Sequence, residues 1–569
     1  MLVKTFGSAV YGVEAITITI EVNVTEGLHT FVVGLPDNAV KESVRRVESA
    51  IKSNGYYMPR TKLVINLAPA DIRKSGSAFD LPIALGVLGA TGQIPGPENL
   101  KNYMIMGELG LDGAIQPIKG ALPIAITAAR EHFSGLIVSG RNVQEVCIVD
   151  KLAIYGVTHL TQVIELFRQL AEHPQAELPS MYPSGSSMHP KNSSIPPITF
   201  SLHPADTSSL PTDYRWRPEN GSSQNRLMQI SVPRFAEFPD LDFSEVRGQE
   251  SIKRALEIAA AGGHNAILIG PPGSGKTMLA KRLSTILPPL SLEEALETTK
   301  IHSVAGKLGE NASMITQRPF RNPHHTISAI ALIGGSGIPQ PGEISLAHNG
   351  ILFLDELPEF SRNVLEVLRQ PMEEGKVTIS RAKMSIDFPA CFMLLASMNP
   401  CPCGYYNHPD KACVCPPGIV RKYLNRVSGP LLDRIDLHLE VVPVPYSKLS
   451  IPQEGESSSV IRSRVIEARN RQSQRYGQLH EGEPHSDRAV YCNAQMNSRM
   501  LRKICRIDAA GEKLLQTAMN HLHLSARAYD RILKVSRTIA DLAGSTPIRP
   551  EHLAEAIQYR TLDRESWAG

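Results

Sequence analysis

Apolar and polar residues follow regular patterns along much of the chain. Residues 15–22 alternate as a half-buried strand does, and a helical pattern follows from about Asp37 to Ser53. Three later runs, 266–269, 351–354 and 392–398, are apolar almost throughout. Runs of this length are typical of strands that are buried on both faces of a parallel sheet. The pattern therefore predicts an α/β core that is preceded by an α+β region.

Two polar segments divide the chain. Nine prolines fall between Pro174 and Pro218 among serine-rich pieces, a composition that cannot bury enough apolar surface to offset its ordering entropy. A second polar break runs from Gln453 to Ser459. We therefore predict a first domain at 1–172, a flexible linker at 173–232, a core domain at 233–452 and a helical C-terminal domain at 453–569.

Composition restricts the function classes only weakly. The 569 residues are 42% hydrophobic and 20% charged, with a formal net charge of +3, as in ordinary soluble proteins. Any nucleic-acid binding must then come from local patches. The sequence shows no signal-peptide pattern and no apolar stretch near the roughly 20 residues of a membrane span. We expect a cytoplasmic protein with no membrane partner, whose eight cysteines are reduced or metal-bound.

The first apolar run of the core leads into a glycine-rich loop and then into a helix-forming stretch. This order of strand, loop and helix is that of a P-loop. The loop consists of Gly270, Pro271, Pro272, Gly273, Ser274, Gly275, Lys276 and Thr277. Backbone N–H groups of a P-loop surround phosphates, its lysine reaches the β and γ oxygens, and its threonine hydroxyl holds Mg²⁺. The pattern predicts binding of ATP or GTP.

Polar residues close the other two apolar runs. The second run ends in Asp355 and Glu356, and ligands of open α/β sheets lie at the carboxyl ends of the strands. Asp355 is expected to position Mg²⁺, and Glu356 to polarise the attacking water. An isolated Asp-Glu pair is also compatible with a solvated strand end, but the P-loop upstream favours a nucleoside triphosphatase. The third run ends in Asn399, whose amide can bond the attacking water and the γ-phosphate as a sensor.

Long strings of residues carry a resemblance to a known family. They are NPHHT at 322–326, PGEISLAH at 341–348, LRQP at 368–371 and MNPCPCG at 398–404. Together with Asn399 and with Arg434, which precedes a strand-like run, they make residues 243–560 similar to an AAA+ ATPase of the magnesium-chelatase-like branch. The similarity is closest to the ComM/YifB family. It implies an AAA+ P-loop core with a helical C-terminal lid.

The resemblance also implies roles for two arginines. Arg434 matches the arginine finger, which reaches the γ-phosphate of the neighbouring subunit; a salt bridge to Asp433 or Asp436 is the alternative. Arg527 opens a long helical pattern and matches the second sensor on the lid; a solvated helix face is the alternative. A finger that acts in trans completes the site only between subunits, so we expect a closed ring. The family expectation is a homohexamer.

Two inserts in the core are expected to grip a substrate. Residues 318–325 and the glycine-rich 334–339 are expected to project as loops, and the alternation over 376–387 predicts a β-hairpin. The basic residues of these inserts, repeated around a ring, would track DNA phosphates. They are Arg321, Lys376, Arg381 and Lys383. The alternative is an interface role for Arg381 beside a solvated hairpin, and a loop or interface role is expected for His324 and His325.

Four of the eight cysteines lie close together in the sequence. Cys401 and Cys403 are separated from Cys413 and Cys415 by a polar loop of nine residues. In a reducing compartment this grouping favours a structural Zn²⁺ site over disulfides, although the Cys-x-Cys spacing is tighter than usual. Free thiols on a connecting segment are the alternative.

The N-terminal region resembles the Lon-protease-like domain attached to this family, which has the α+β fold of ribosomal protein S5. Segments 74–81 and 107–113 carry the likeness. Ser77 falls near the position of the protease nucleophile, but Leu122 stands where the activating lysine belongs. Lys74 or Lys119 would have to substitute for it. We therefore expect a non-proteolytic domain that serves assembly or DNA binding.

Three functions are compatible with this sequence. The favoured one is an ATP-driven, ring-shaped DNA motor, a branch-migration helicase that promotes integration of incoming DNA in natural transformation, as the resemblance implies. A magnesium chelatase motor subunit, which inserts Mg²⁺ into a porphyrin, is disfavoured by the N-terminal domain and the four-cysteine loop. An ATP-dependent Lon-like protease is disfavoured by Leu122.

Overall fold

A computed structural model of the chain describes residues 1–172, 241–309, 312–335, 339–381, 384–406, 408, 411–444, 455–480 and 490–560. The predicted linker at 173–232 and Lys383 lie outside these ranges. Within them, no helix combines the length and the apolar character that a membrane crossing requires.

The N-terminal domain is built on a mixed sheet. Its strands are β1 (Leu2–Tyr11), β2 (Glu14–Thr25), β3 (Thr30–Val33), β4 (Lys62–Ala68), β5 (Tyr103–Ile105), β6 (Glu108–Leu109), β7 (Ile115–Gln116), β8 (Gly135–Ser139) and β9 (Ala153–Val157). Its helices are α1 (Asn38–Ser53), α2 (Asp80–Ala90), α3 (Ala121–Arg130), α4 (Val143–Val146) and α5 (Leu160–Glu172). Seven strands form one sheet in the order β3-β4-β2-β1-β5-β8-β9, and β6 pairs with β7 separately.

The predicted elements of this domain are present. Ile18, Ile20 and Val22 of β2 are buried, as the alternation requires when one face of a strand packs against a core. Helix α1 begins after Asp37, whose side chain accepts a hydrogen bond from the Val40 N–H over 2.8 Å. That bond satisfies one of the unpaired N–H groups of the first turn and fixes where the helix starts.

The second domain is built on a parallel sheet. Its strands are β10 (Ala266–Ile269), β11 (Phe320–Arg321), β12 (Gly334–Gly335), β13 (Gln340–Pro341), β14 (Ile351–Leu354), β15 (Lys376–Arg381), β16 (Met384–Pro389), β17 (Met393–Met398) and β18 (Leu437–Glu440). Its helices are α6 (Glu250–Gly262), α7 (Lys276–Ile286), α8 (Leu292–Ala305), α9 (Ala329–Ile333), α10 (Glu343–Leu346), α11 (Arg362–Val367), α12 (Arg369–Glu374), α13 (Pro417–Leu424) and α14 (Gly429–Leu432). The central sheet has the order β11-β14-β17-β10-β18.

The three apolar runs are the inner strands of this sheet, as predicted. Successive side chains of a strand point to opposite faces, and here they enter two separate apolar clusters. Leu268 and Phe353 pack on one face with the C-terminal helices. Ile267 and Leu352 pack on the other face with α11 and the hairpin β15–β16. Because both faces are covered, the strands contain hardly any polar residues.

The C-terminal region is helical. Its helices are α15 (Ser458–His480), α16 (Ser498–Ile504), α17 (Ala509–His521), α18 (Ala526–Leu542) and α19 (Pro550–Gln558). A buried carboxylate, Asp436, ties α18 to the start of β18 through an ion pair with Arg531 at 3.2 Å, and it also lies 3.4 Å from His264 Nδ1. Burial raises the pKa of Asp436, but these two partners outweigh it and hold that pKa below its usual range.

Among the described residues, the N-terminal domain contacts the second domain around Ser303 and at the hairpin β15–β16. The Gly120 N–H donates to the Ser303 carbonyl over 3.1 Å, and the Ser303 hydroxyl donates to the buried Glu145. The turn at Gly12, with φ +63°, lies against the hairpin: a Cβ atom there would come 2.9 Å from Ile386 Cγ2. Strand β16 therefore rests directly on the N-terminal domain.

Candidate nucleotide-binding site

The loop between β10 and α7 has the backbone conformation of a phosphate cradle. Gly273 and Gly275 have φ values of +77° and +90°, which L side chains rarely adopt. A Cβ atom on Gly270 would lie 2.2 Å from the Val441 carbonyl oxygen, whereas one on Gly273 would meet nothing within 4 Å. The first glycine therefore permits close packing on β18, and Gly273 stands at an open position. The N–H groups at the start of α7 can bind an anion there.

Lys276 is held by groups that surround the same space. Its ammonium group donates to the carbonyls of Gly270 and Pro271 over 2.8 and 2.9 Å, and to Asn399 Oδ1 over 3.2 Å. Burial lowers the pKa of Lys276, and the nearby carboxylates of Asp355 and Glu356 oppose that shift. The structure thus brings the P-loop lysine and the predicted sensor amide together.

The two predicted Mg²⁺ ligands also meet. The Thr277 hydroxyl donates to Asp355 Oδ2 over 2.8 Å. The other Asp355 oxygen accepts a hydrogen bond from Ser397, a buried residue of β17 that sequence reasoning missed. A hydroxyl and a carboxylate are oxygen ligands of the kind that Mg²⁺ takes beside phosphates, so the residues present fit the ion. The only sequence signal for Ser397 is a hydroxyl within an otherwise apolar strand.

Glu356 lies next to this pair and is exposed. It has a φ of +56°, a conformation that non-glycine residues keep mainly where the surroundings enforce it. Its N–H donates to Asp355 Oδ1 over 3.1 Å. His325 Nδ1 lies 3.8 Å from the Glu356 carboxylate, and the His325 ring stacks on His324 with centroids 4.1 Å apart. His325 thus faces a predicted catalytic residue, a contact that its sequence position did not reveal.

Arg434 is buried inside its own subunit. Its guanidinium forms an ion pair with Glu373 and donates to the Pro430 carbonyl. The alternative of a salt bridge to Asp433 or Asp436 is wrong, because Glu373 takes that role and Asp436 pairs with α18. Burial lowers the pKa of Arg434, and the positive charge of Arg527 contributes to that shift. Arg527 itself is exposed in the first turn of α18.

The predicted basic inserts are only partly as expected. Residues 376–381 and 384–389 pair as the antiparallel strands β15 and β16, and Arg381 is exposed at the end of β15. Lys376 pairs with Asp387 over 2.7 Å. The expectation that 318–325 projects as a loop is wrong for Phe320 and Arg321, which form the edge strand β11.

Arg321 differs from the other basic residues because its charge is already paired. Its guanidinium bonds both oxygens of Glu343, over 2.6 and 2.9 Å. The second half of the first insert lies beside the hairpin, since a Cβ atom on Gly335 would be 3.6 Å from Arg381 Nη2. Residues 336–338 of that insert lie outside the described part of the chain.

The four predicted cysteine ligands meet in space. All four sulfur atoms lie within 4.8 Å of one another. Cys401 Sγ is 3.3 Å from Cys403 Sγ and 3.7 Å from Cys413 Sγ, and Cys403 Sγ is 3.6 Å from Cys413 Sγ. Four thiolates around Zn²⁺, with Zn–S bonds of about 2.3 Å in a tetrahedron, are about 3.8 Å apart. Disulfide sulfurs would be about 2.05 Å apart, so the spacing fits a metal site.

The N-terminal domain shows how the predicted protease residues are used. The Ser77 hydroxyl donates to Glu108, and Leu122 is buried with its N–H bonded to Glu145 over 3.0 Å. Lys74 is buried against the Pro69 carbonyl, and burial lowers its pKa. Lys119 packs on the second domain, because a Cβ atom on Gly306 would be 2.8 Å from Lys119 Cε. Neither substitute lysine is bonded to Ser77, whose partner is an acid.

Comparison with known proteins extends along the whole chain. Family models match at 242–449 (magnesium chelatase, subunit ChlI), 20–142 (subunit ChlI of Mg-chelatase) and 455–560 (magnesium chelatase, subunit ChlI C-terminal). Lon protease 2 of Bacillus subtilis strain 168 is 30% identical over 174 residues, which are 28% of this chain and 30% of that protein. The N-terminal likeness to Lon is therefore partial.

Several relatives match nearly end to end, among them YifB and ComM proteins. YifB of Salmonella typhimurium strain LT2 is 41% identical over 564 residues, covering 98% of this chain and 96% of its own. Competence protein ComM of Haemophilus influenzae strain Rd is 40% identical over 562 residues, covering 98% and 97%. These matches agree with the mixed α/β architecture, the P-loop and the helical C-terminal region. The chain belongs to the ComM/YifB family of magnesium chelatase-like AAA+ proteins.

Proposed function

We propose that the protein is an ATP-driven DNA motor that works as a ring and uses Mg²⁺ with its nucleotide. The observation that carries this proposal is the meeting of Lys276, Thr277, Asp355 and Asn399 at the carboxyl ends of β10, β14 and β17. Nucleotides of open α/β sheets bind at this edge. An ATPase activity agrees with membership of the AAA+ family.

Each of these residues has a task in hydrolysis. Bound Mg²⁺ would neutralise charge on the β and γ oxygens, with Thr277 and Asp355 holding it. Lys276 would exchange the two loop carbonyls for phosphate oxygens, which are stronger acceptors because they are charged. Glu356 is exposed beside Asp355 and would polarise the attacking water. Asn399, already within reach of Lys276, would orient that water against the γ-phosphate.

The proposal of a ring depends on Arg434 acting as an arginine finger. In the free subunit its guanidinium is paired with Glu373, so it reaches a neighbour's γ-phosphate only by giving up that partner. The Glu373 side chain is 45% exposed, and water can solvate its carboxylate after the exchange. Arg527 is near enough to influence Arg434 electrostatically and would act as the second sensor. Six identical subunits are part of the proposal.

The proposed DNA contacts come from the hairpin β15–β16 and from the segment at Gly335 beside it. Arg381 is exposed at the hairpin end, next to the backbone of Gly335. Lys376 is paired with Asp387, and Arg321 with Glu343, so Arg381 contributes more free positive charge than either. Six copies around a pore would form a local positive surface in a chain whose net charge is only +3.

The name of one relative suggests a biological setting. ComM is a competence protein and resembles this chain over nearly its full length. We therefore extend the proposal to branch migration in the cytoplasm during integration of incoming DNA in natural transformation. The second candidate is a magnesium chelatase motor subunit, which the three matching family models favour. A structural Zn²⁺ ion at Cys401, Cys403, Cys413 and Cys415 completes the set of proposed cofactors.

The test measures the ATPase rate of the full chain alone, with single-stranded DNA and with a branched junction. Glu356→Gln is the matched control, since it keeps the shape of the side chain and removes its charge. Stimulation by DNA that Glu356→Gln abolishes would support the motor. If DNA changed nothing even at low salt, where phosphate contacts are strongest, the DNA proposal would fail. Porphyrin metallation would then be assayed for the second candidate.

A further inference from the structure

The four-cysteine cluster sits against the nucleotide-binding site. Gly404, between the two cysteine pairs, packs on the P-loop with φ +84°, and a Cβ atom there would come 2.4 Å from Pro272 Cδ. Cys401 follows Asn399 by two residues, so the same short segment carries the sensor amide and the first sulfur ligand. One face of the cluster therefore touches the loop that would hold the phosphates.

The second cysteine pair leads to another contact with the same site. Cys415 is followed by Pro416, the N-cap of α13. Tyr423 of α13 is buried, and its phenol group lies close to the backbone N–H of Asn399. Asn399 is thus linked to the first cysteine pair by the chain itself, and to the second pair through Tyr423 of α13.

The described residues of the loop between the pairs contact one another at short range: the His408 N–H donates to the Tyr405 carbonyl over 3.1 Å, and the Lys411 N–H donates to His408 Nδ1 over 3.2 Å. Among its described residues, Lys411 lies 4.9 Å from the Tyr405 ring centroid, a cation–π contact at the surface. Such a contact contributes only about 0.5–1 kcal/mol when exposed. Four thiolates held by one ion would fix the segment much more strongly, since structural zinc supplies folding free energy directly.

We propose that Zn²⁺ at the four cysteines sets the position of Pro272 and Asn399, and thereby the affinity for nucleotide. Loss of the ion would free Gly404 from the P-loop and loosen the strand end that carries Asn399. The inference depends on the proposed nucleotide site but not on DNA or on the ring. The metal acts as a positioning element, because no cysteine sulfur is among the hydrogen-bond partners of the P-loop lysine or of the predicted Mg²⁺ ligands.

Two variants separate the metal from its contact with the P-loop. Cys413→Ser with Cys415→Ser removes two ligands. Gly404→Ala keeps all four ligands and places a methyl group against Pro272. Cys147→Ser is the matched control, since this cysteine is exposed and lies outside the cluster.

The experiment measures zinc per chain by elemental analysis and affinity for a fluorescent ATP analogue with Mg²⁺, using full-length protein. We expect one zinc per chain in the unchanged protein, in Cys147→Ser and in Gly404→Ala. We expect the double serine variant to lose zinc. Both Gly404→Ala and the double variant should bind the analogue about tenfold more weakly or worse, the size typical of disturbing a layer that orients ligands. The affinity for the analogue is also measured on the unchanged protein after zinc is removed and again after zinc is returned, which repeats the test without a substitution that affects folding.

The outcomes distinguish the two proposals. Unchanged protein that holds no zinc, or zinc-free protein with full affinity for the analogue, would overturn the inference alone. Unchanged, zinc-loaded protein that binds no nucleotide would overturn the proposed ATPase and this inference with it. Failure of DNA to stimulate hydrolysis would leave the inference standing.

Discussion

Replacing Ser397 with alanine tests whether Asp355 is oriented in advance for Mg²⁺. Ser397 is 1% exposed, and its hydroxyl holds one Asp355 oxygen while Thr277 holds the other over 2.8 Å. A hydrogen bond to a charged group contributes about 1.5–3 kcal/mol, and about 1.36 kcal/mol is a factor of ten. We therefore expect the Mg²⁺ concentration for half-maximal ATPase activity to rise roughly 10- to 100-fold, in line with the usual effect of groups that orient a metal ligand.

The matched control is Ser345→Ala. Ser345 is also buried, in α10, and its hydroxyl has no hydrogen-bond partner among the described residues. Its loss should leave the Mg²⁺ dependence unchanged. Thermal unfolding of both variants checks that each is folded at the assay temperature. A Ser397→Ala protein with an unaltered Mg²⁺ requirement would refute the idea that the strand hydroxyl orients the aspartate.

Arg434→Ala should lower the ATPase rate about 10³-fold, the lower end of the range for loss of an arginine finger, and should leave the affinity for the ATP analogue unchanged. A loss of affinity instead would place Arg434 in the nucleotide site of its own subunit. Arg381→Ala should weaken DNA binding and reduce the slope of log affinity against log salt by about one per contacted phosphate, as measured by fluorescence anisotropy. Lys376→Ala should change this slope less, because Asp387 already neutralises that lysine. Burial lowers the pKa of His302 to about 4. As the pH drops, the unfolded state therefore binds a proton at this histidine before the folded state does. The free energy of unfolding should fall by about 3 kcal/mol between about pH 6.5 and about pH 4. Urea unfolding should show this fall, and His302→Gln should remove that part of it; equal slopes in both proteins would exclude His302 as the cause.

The sequence predicted those features whose determinants are local. The three apolar runs, the hairpin alternation and the helical pattern from about Asp37 to Ser53 depend on residues within a few positions of one another, and each is present in the structure. The meeting of Thr277 with Asp355 was also predictable. Parallel strands bring their carboxyl ends to one edge, so a P-loop and an acidic strand end must converge there.

Partners that are distant along the chain were not predictable in this way. Glu373 holds Arg434 from 61 positions away, yet the nearer acids at 433 and 436 are the ones that sequence reasoning offers. Arg321 was assigned to DNA because it stands in a basic string, but Glu343 neutralises it across the edge of the sheet. Ser397 reaches Asp355 through the pairing of β17 with β14, and His325 reaches Glu356 from the turn that follows β11.

The contact between Gly12 and Ile386 supports the hairpin on one of its two strands, β16. Strand β16 rests on the N-terminal domain, while Arg381 at the tip of β15 is exposed. A force on the exposed end of the hairpin is therefore transmitted both to the nucleotide-binding core and to the N-terminal domain. Displacement of the tip must either bend the hairpin beyond this support or carry the N-terminal domain along. The position of the hairpin is then set by two domains, and loss of the contact at Gly12 would leave it supported by one.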